Sequence, residues 1–117
     1  MIKVIGQATQ KDGTSPVWTL TGICVSAKRT ATGTYSITCN KATGSRPVIL
    51  ISAERGGVGT ERTTAVWSGN DLIVRNYTGQ SSTTLGDCWL TVTLLENLSD
   101  KVTRNLKFDN NTVVATN

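Results

Sequence analysis

Apolar and polar residues alternate along most of this chain, in short runs separated by Gly, Asn, Asp and Ser. A period of two residues is the mark of a strand that buries one face. Residues 2–8 fit a first strand, ended by the turn Lys11-Asp12-Gly13-Thr14. Residues 17–27, VWTLTGICVSA, place Trp18, Leu20 and Cys24 on one face. Residues 33–39, GTYSITC, alternate Tyr35, Ile37 and Cys39 with Thr34, Ser36 and Thr38, the pattern of a half-buried strand. Residues 47–53, PVILISA, are apolar on both faces, which predicts a central strand covered on both sides or an oligomer contact. Pro47 stands at the start of this run, where a missing N–H is tolerated. Residues 61–67 and 71–77 flank Ser68-Gly69-Asn70, which reads as a hairpin turn. In residues 87–95, Cys88, Leu90, Val92 and Leu94 share one face; Trp89, Thr91, Thr93 and Leu95 take the other.

The segment 96–117 is more polar, with Lys101, Arg104 and Lys107 against Glu96, Asp100 and Asp109. It reads either as two more strands or as an arm that docks on a neighbour. No internal repeat or low-complexity linker interrupts the chain. Its 117 residues make one domain, long enough to bury a core and too short for two. Residues 1–97 form the expected β domain, with 1–10 a possible N-terminal arm, and 98–117 belong to the same domain as strands or a docking arm. Thr is abundant, whereas the best helix formers are sparse, which favours strands again. The expected fold class is all-β: an antiparallel β-sandwich, a jelly roll of about eight strands.

Charge adds little direction. Twelve basic and eight acidic side chains give a net charge of +4, but the basic residues are scattered and no run of like charge marks a nucleic-acid-binding tail. No specific nucleic-acid partner is expected. Met1-Ile2-Lys3-Val4 leads straight into an alternating segment, so no signal peptide is expected. No apolar run approaches the roughly 20 residues a spanning helix needs, and no membrane partner is expected. Cys24, Cys39 and Cys88 lack CxxC spacing and read as reduced, buried thiols on apolar faces. The sequons at Asn76, Asn97 and Asn110 read as products of Asn and Thr richness.

The stretch 53-AERGGVGTER-62 is the first candidate for chemistry, because glycine clusters can cradle phosphates. A phosphate-binding loop of that kind ends in Gly-Lys-Ser/Thr and leads into a helix. Here no Lys follows Gly59, and Thr63-Thr64-Ala65-Val66-Trp67 reads as a strand. Glycine's positive φ accounts for the cluster as a tight loop. The candidate role left to it is partner contact through Arg55, Gly56, Gly57, Val58, Gly59 and Arg62, with the two arginines pairing to carboxylates on another protein. The absence of histidine removes the Ser-His-Asp and Cys-His arrangements. The carboxylates Glu54, Glu61, Asp71 and Asp87 flank loops and strand ends, where solvation is the ordinary state. The expectation is no enzyme, no catalytic residue, no metal and no cofactor. Trp18 and Tyr35 read as core. Trp67 and Trp89 are candidate interface aromatics or sugar-stacking platforms.

The order 33-GTYSIT-38, 48-VILISAE-54, 72-LIVRNY-77 and 81-SSTTLGDCWLTVTLLEN-97 resembles small trimeric jelly-roll knobs of tailed-phage virions, similar in outline to tumour-necrosis-factor-like domains. The matching positions are Tyr35, Ser52-Ala53 and Asp87-Cys88-Trp89-Leu90-Thr91-Val92. The resemblance covers roughly residues 17–97. It implies a non-enzymatic virion structural protein: a homotrimer on the capsid surface, assembled in the host cytoplasm, that binds the major capsid protein as decoration or cement. Fibre proteins with such a knob carry a long N-terminal shaft; here the alternating pattern begins almost at Met1, which makes decoration rather than a fibre the expectation. A tail or fibre knob that binds a host receptor is the alternative reading, and a carbohydrate-binding, lectin-like module is the second.

Overall fold

The computed structural model describes residues 2–40, 47–55, 61–79 and 83–97. Among them are eight strands and no helix: β1 (Ile2–Gln10), β2 (Thr19–Gly22), β3 (Cys24–Ala31), β4 (Thr34–Cys39), β5 (Val48–Glu54), β6 (Arg62–Ser68), β7 (Asp71–Tyr77) and β8 (Trp89–Asn97). They form two antiparallel four-stranded sheets, ordered β2-β1-β8-β5 and β3-β4-β7-β6. The chain is an all-β sandwich. Its pairing is nested: first strand beside last, fourth beside seventh, with β5 outside β8 and β6 outside β7. Strands β2 and β3 are the edge strands beside β1 and β4.

The core lies between the sheets. Ala8, Leu90, Val92 and Leu94 from the first sheet meet Cys24, Tyr35, Ile37, Cys39, Leu72 and Val74 from the second, together with Cys88 just ahead of β8. The alternation in 87–95 therefore has its expected sides, with Cys88, Leu90, Val92 and Leu94 inward. The 61–77 hairpin forms as read: Ser68 pairs with Asp71, leaving a two-residue turn in which Gly69 adopts φ 59°. The turn at 11–14 is fastened by Asp12, whose Oδ1 accepts the N–H groups of Thr14 and Ser15 at 3.1 Å, the local capture that makes Asp a turn residue.

Three readings change. The run 17–27 is two strands in two sheets rather than one. Gly22, at φ 60°, turns the chain between them, and a Cβ there would collide with the Ile5 carbonyl. Strand β4 is buried on both faces, Thr34 and Ser36 included; it is a central strand, flanked by β3 and β7. The apolar run 47–53 is no central strand among the described residues. Strand β5 sits at the sheet edge, paired with β8. Its Ile49, Ile51 and Ala53 pack inward, whereas Val48 and Leu50 are exposed.

Residues 2–10, considered above as an arm, lie as β1 between β2 and β8. A bulge between Val4 and Gly6 shifts its register against β8. The segment 98–117 lies outside the described residues.

Candidate functional site

Two arrangements stand out: a polar knot at one end of the sandwich and a face on the first sheet with a single ionisable side chain among the described residues. The knot centres on Asp87. Its Oδ1 accepts the Arg29 Nε–H at 3.0 Å, the Gly33 N–H at 2.7 Å and the Tyr35 hydroxyl at 3.3 Å, while its Oδ2 accepts the Arg29 Nη2–H at 3.0 Å. The Tyr35 hydroxyl is also 2.9 Å from the Gly13 carbonyl and accepts the Cys88 N–H at 3.0 Å. The Gln10 amide donates to the Cys88 carbonyl at 2.8 Å.

Burial pushes the Asp87 carboxyl up, but Arg29, Gly33 and Tyr35 together hold it below its usual range. Arg29 is raised in turn, chiefly by its hydrogen bonds to Asp87. Burial raises the Tyr35 hydroxyl and takes the Cys88 thiol to about 12. These groups are buttressed by one another, and the Tyr35 ring is fully buried with the Trp18 indole edge-on at 6.0 Å. The knot ties the 11–16 turn, the β3–β4 turn and the approach to β8 into one end wall. An acid so neutralised and a phenol so enclosed serve the fold.

The candidate contact loop is drawn inward where it can be followed. Arg55 pairs with Glu61, and the Arg62 guanidinium stacks over the Tyr77 ring, 4.1 Å from its centroid, a cation–π contact. The first contact joins the two ends of the loop, and the second fastens β6 to its neighbour β7. Gly56, Gly57, Val58 and Gly59 lie outside the described residues. Trp67 packs against the core on the inner face of β6, which takes it out of the candidate interface. Trp89 points outward and is 43% exposed. Asn76 is fully buried, donating to the Gly86 carbonyl at 2.9 Å, so its sequon is closed to a glycan in the folded chain.

The register assembles the outer face of the first sheet row by row. Val4, Leu95 and Val48 form one apolar row; Thr21, Gln7, Thr93 and Leu50 the next; Thr19, Thr9, Thr91 and Ser52 the third; Trp89 and Glu54 the last. Ile2 extends the apolar end beside Asn97. Ile2, Val4, Val48, Leu50 and Trp89 are all exposed. Glu54 is the face's one ionisable side chain among the described residues. The polar rows are laced sideways: Gln7 Nε2 donates to Thr93 Oγ1 at 3.1 Å, and the Thr9 and Thr91 hydroxyls lie 2.7 Å apart.

The second sheet is different. Its outer face carries Lys28, Arg62, Asp71 and Arg75 among Thr, Ser, Val66 and Ile73. Contiguous exposed apolar surface marks contact sites, and hydroxyl and amide groups already bonded to each other lose less when water is removed. The two broad faces of the sandwich thus differ in charge: one carries several charged side chains, the other a single ionisable one among the described residues. Sequence reading found the β5 part of that face in 48-VILIS-52 but missed Ile2 and Val4 and the Thr/Gln rows. The signal was available in the outward positions of β8, which are Thr and Leu rather than charged.

Among the described residues no group of three or more His, Cys, Asp or Glu side chains is placed to hold a metal ion, and no helix is long and apolar enough to cross a membrane. No protein-family model matches the chain, and neither a curated protein nor a solved structure matches it.

Proposed function

We propose that this chain is a non-enzymatic virion structural protein, a capsid decoration or cement protein, that associates as a homotrimer through the outer face of the β2-β1-β8-β5 sheet. The observation that carries the reading is the face just described, which holds Glu54 as its one ionisable side chain among the described residues, on a chain of net charge +4 whose other sheet face carries several charges. Copies set around a three-fold axis with this face turned toward their neighbours cover Val4, Val48 and Leu50 and desolvate almost no charge, the condition under which association is favourable. Closed symmetry limits such self-association to a small ring. The number three and the capsid setting come from the resemblance carried by Tyr35, Ser52-Ala53 and 87-DCWLTV-92. The charged second sheet and the loop ends then face solvent or the shell. Binding the assembled shell more tightly than free subunits stabilises the shell by mass action.

The test has two parts. Light scattering on the purified chain should give the mass of a trimer at micromolar concentration; a monomer overturns the self-association. Purified particles should carry the chain at every equivalent position of the capsid lattice in electron micrographs. Density confined to a tail or fibre tip favours the receptor-binding alternative instead.

A further inference from the structure

Cys24 and Cys39 face each other directly in the β3–β4 ladder. The Asn40 N–H donates to the Ile23 carbonyl at 2.7 Å, and Ile23 and Asn40 are the residues just outside that pair. A backbone bond one step beyond a facing pair makes the pair itself non-hydrogen-bonded, the rung whose Cα atoms stand only about 4.5 Å apart. A disulfide requires Cα atoms roughly 4.4–6.8 Å apart. Both thiols point into the core, 4% and 1% exposed, and the neighbouring Cys39 thiol lowers the Cys24 pKa against the opposing effect of burial. The third cysteine, Cys88, precedes β8 and has no cysteine opposite it in the described ladders.

We infer that Cys24 and Cys39 are a redox-active pair that closes to an intrachain disulfide and clamps edge strand β3 to β4. The oxidant is a small-molecule disulfide. The Cys24 thiolate attacks one of its sulfurs, forming a mixed disulfide and releasing one small thiolate. The Cys39 thiol loses its proton, and its thiolate attacks the Cys24 sulfur and releases the second. Two protein thiols become one disulfide, two electrons pass to the small disulfide, and two small thiols leave. Access comes from the edge: β3 pairs only with β4 in its sheet, so local opening of β3 bares Cys24 without unfolding the sandwich.

The experiment equilibrates the full chain in glutathione buffers graded from reduced to oxidised. Samples are quenched in acid, unfolded, alkylated and mapped by mass spectrometry. In the oxidised buffers one thiol should remain alkylatable, at Cys88, and digestion should yield a linked peptide pair joining residues 24 and 39; reduction should restore three. The thermal midpoint should rise on oxidation by on the order of 10 °C, in the native chain and in Cys88→Ala alike, and should not respond in Cys39→Ala. Three alkylatable thiols in the most oxidised buffer overturn the inference, as does a link through Cys88 or between chains. The native chain's own peptide map decides, whether or not the variants fold.

Discussion

Asp87 receives four hydrogen bonds through two oxygens, from Arg29 twice, Gly33 and Tyr35. Replacing it with Asn keeps the shape and removes the charge those donors answer. Asp87→Asn should lower unfolding stability at pH 7 by about 1–3 kcal/mol, the usual size for a partly buried charged hydrogen-bond group. The sign of the pH effect follows from the lowered folded pKa. The carboxylate's contribution is complete above its unfolded value of about 3.9 and is lost as pH falls through the lower folded value. Urea unfolding of both proteins between neutral and strongly acid pH should therefore show a constant gap that closes below about pH 4. A gap independent of pH down to acid unfolding would mean that Asp87 works through its shape alone. The sequence shows Tyr35 as a core residue through simple alternation. It does not show where the hydroxyl goes, because Gly13, Asp87 and Cys88 are far away in the chain and come together only when the sheets close.

Punctuation decided which strands could be read in advance. Ser68-Gly69-Asn70 interrupts two alternating runs, and the hairpin β6–β7 follows from it. Across 17–27 the alternation runs on through Gly22 with no Pro or Asn to stop it, so a change of sheet looks like a continuous strand. Both glycines have positive φ, but their surroundings differ: a Cβ on Gly69 meets nothing, whereas one on Gly22 runs into the Ile5 backbone. Gly69→Ala should cost about 1–2 kcal/mol, the conformational penalty alone. Gly22→Ala should cost clearly more, since β1 or β2 must shift as well. Thermal unfolding of the two variants measures the difference, and equal losses would remove the steric role assigned to Gly22. The apolar run in β5 carried two explanations that sequence alone cannot separate. Strand order separates them, because β5 has one neighbour in its sheet and its outer apolar positions are left exposed.

For the whole molecule, the contrast between its two broad faces is the property that bears on function. A charge introduced among the apolar positions of the first sheet's outer face should act on the proposed association and leave the fold alone. Leu50 projects outward and is 54% exposed, so Leu50→Lys should leave the circular dichroism and monomer stability within about 0.5 kcal/mol of the native chain. The same lysine desolvated between copies costs several kcal/mol, which should shift the proposed trimer to monomers in sedimentation velocity at micromolar concentration. An unchanged oligomer would place the contacts elsewhere, and Lys28 on the second sheet provides the matched control. The candidate loop 55–62 looked in sequence like the exposed contact, because two arginines bracket flexible glycines. Folding gives those arginines neighbours, Glu61 and Tyr77, that linear spacing could not assign to them.

The pairing of the first strand with the last also determines how the sandwich answers to tension. Ile2 lies opposite Asn97 at one end of the β1–β8 ladder, and Gln10 lies opposite Leu90 at the other. A pull between residues 2 and 97 therefore loads the rungs one at a time and peels β1 away like a zip. A pull between residues 2 and 89 loads them all together in shear. Single-molecule stretching through these two pairs of handles should give a low rupture force for the first and a several-fold higher one for the second.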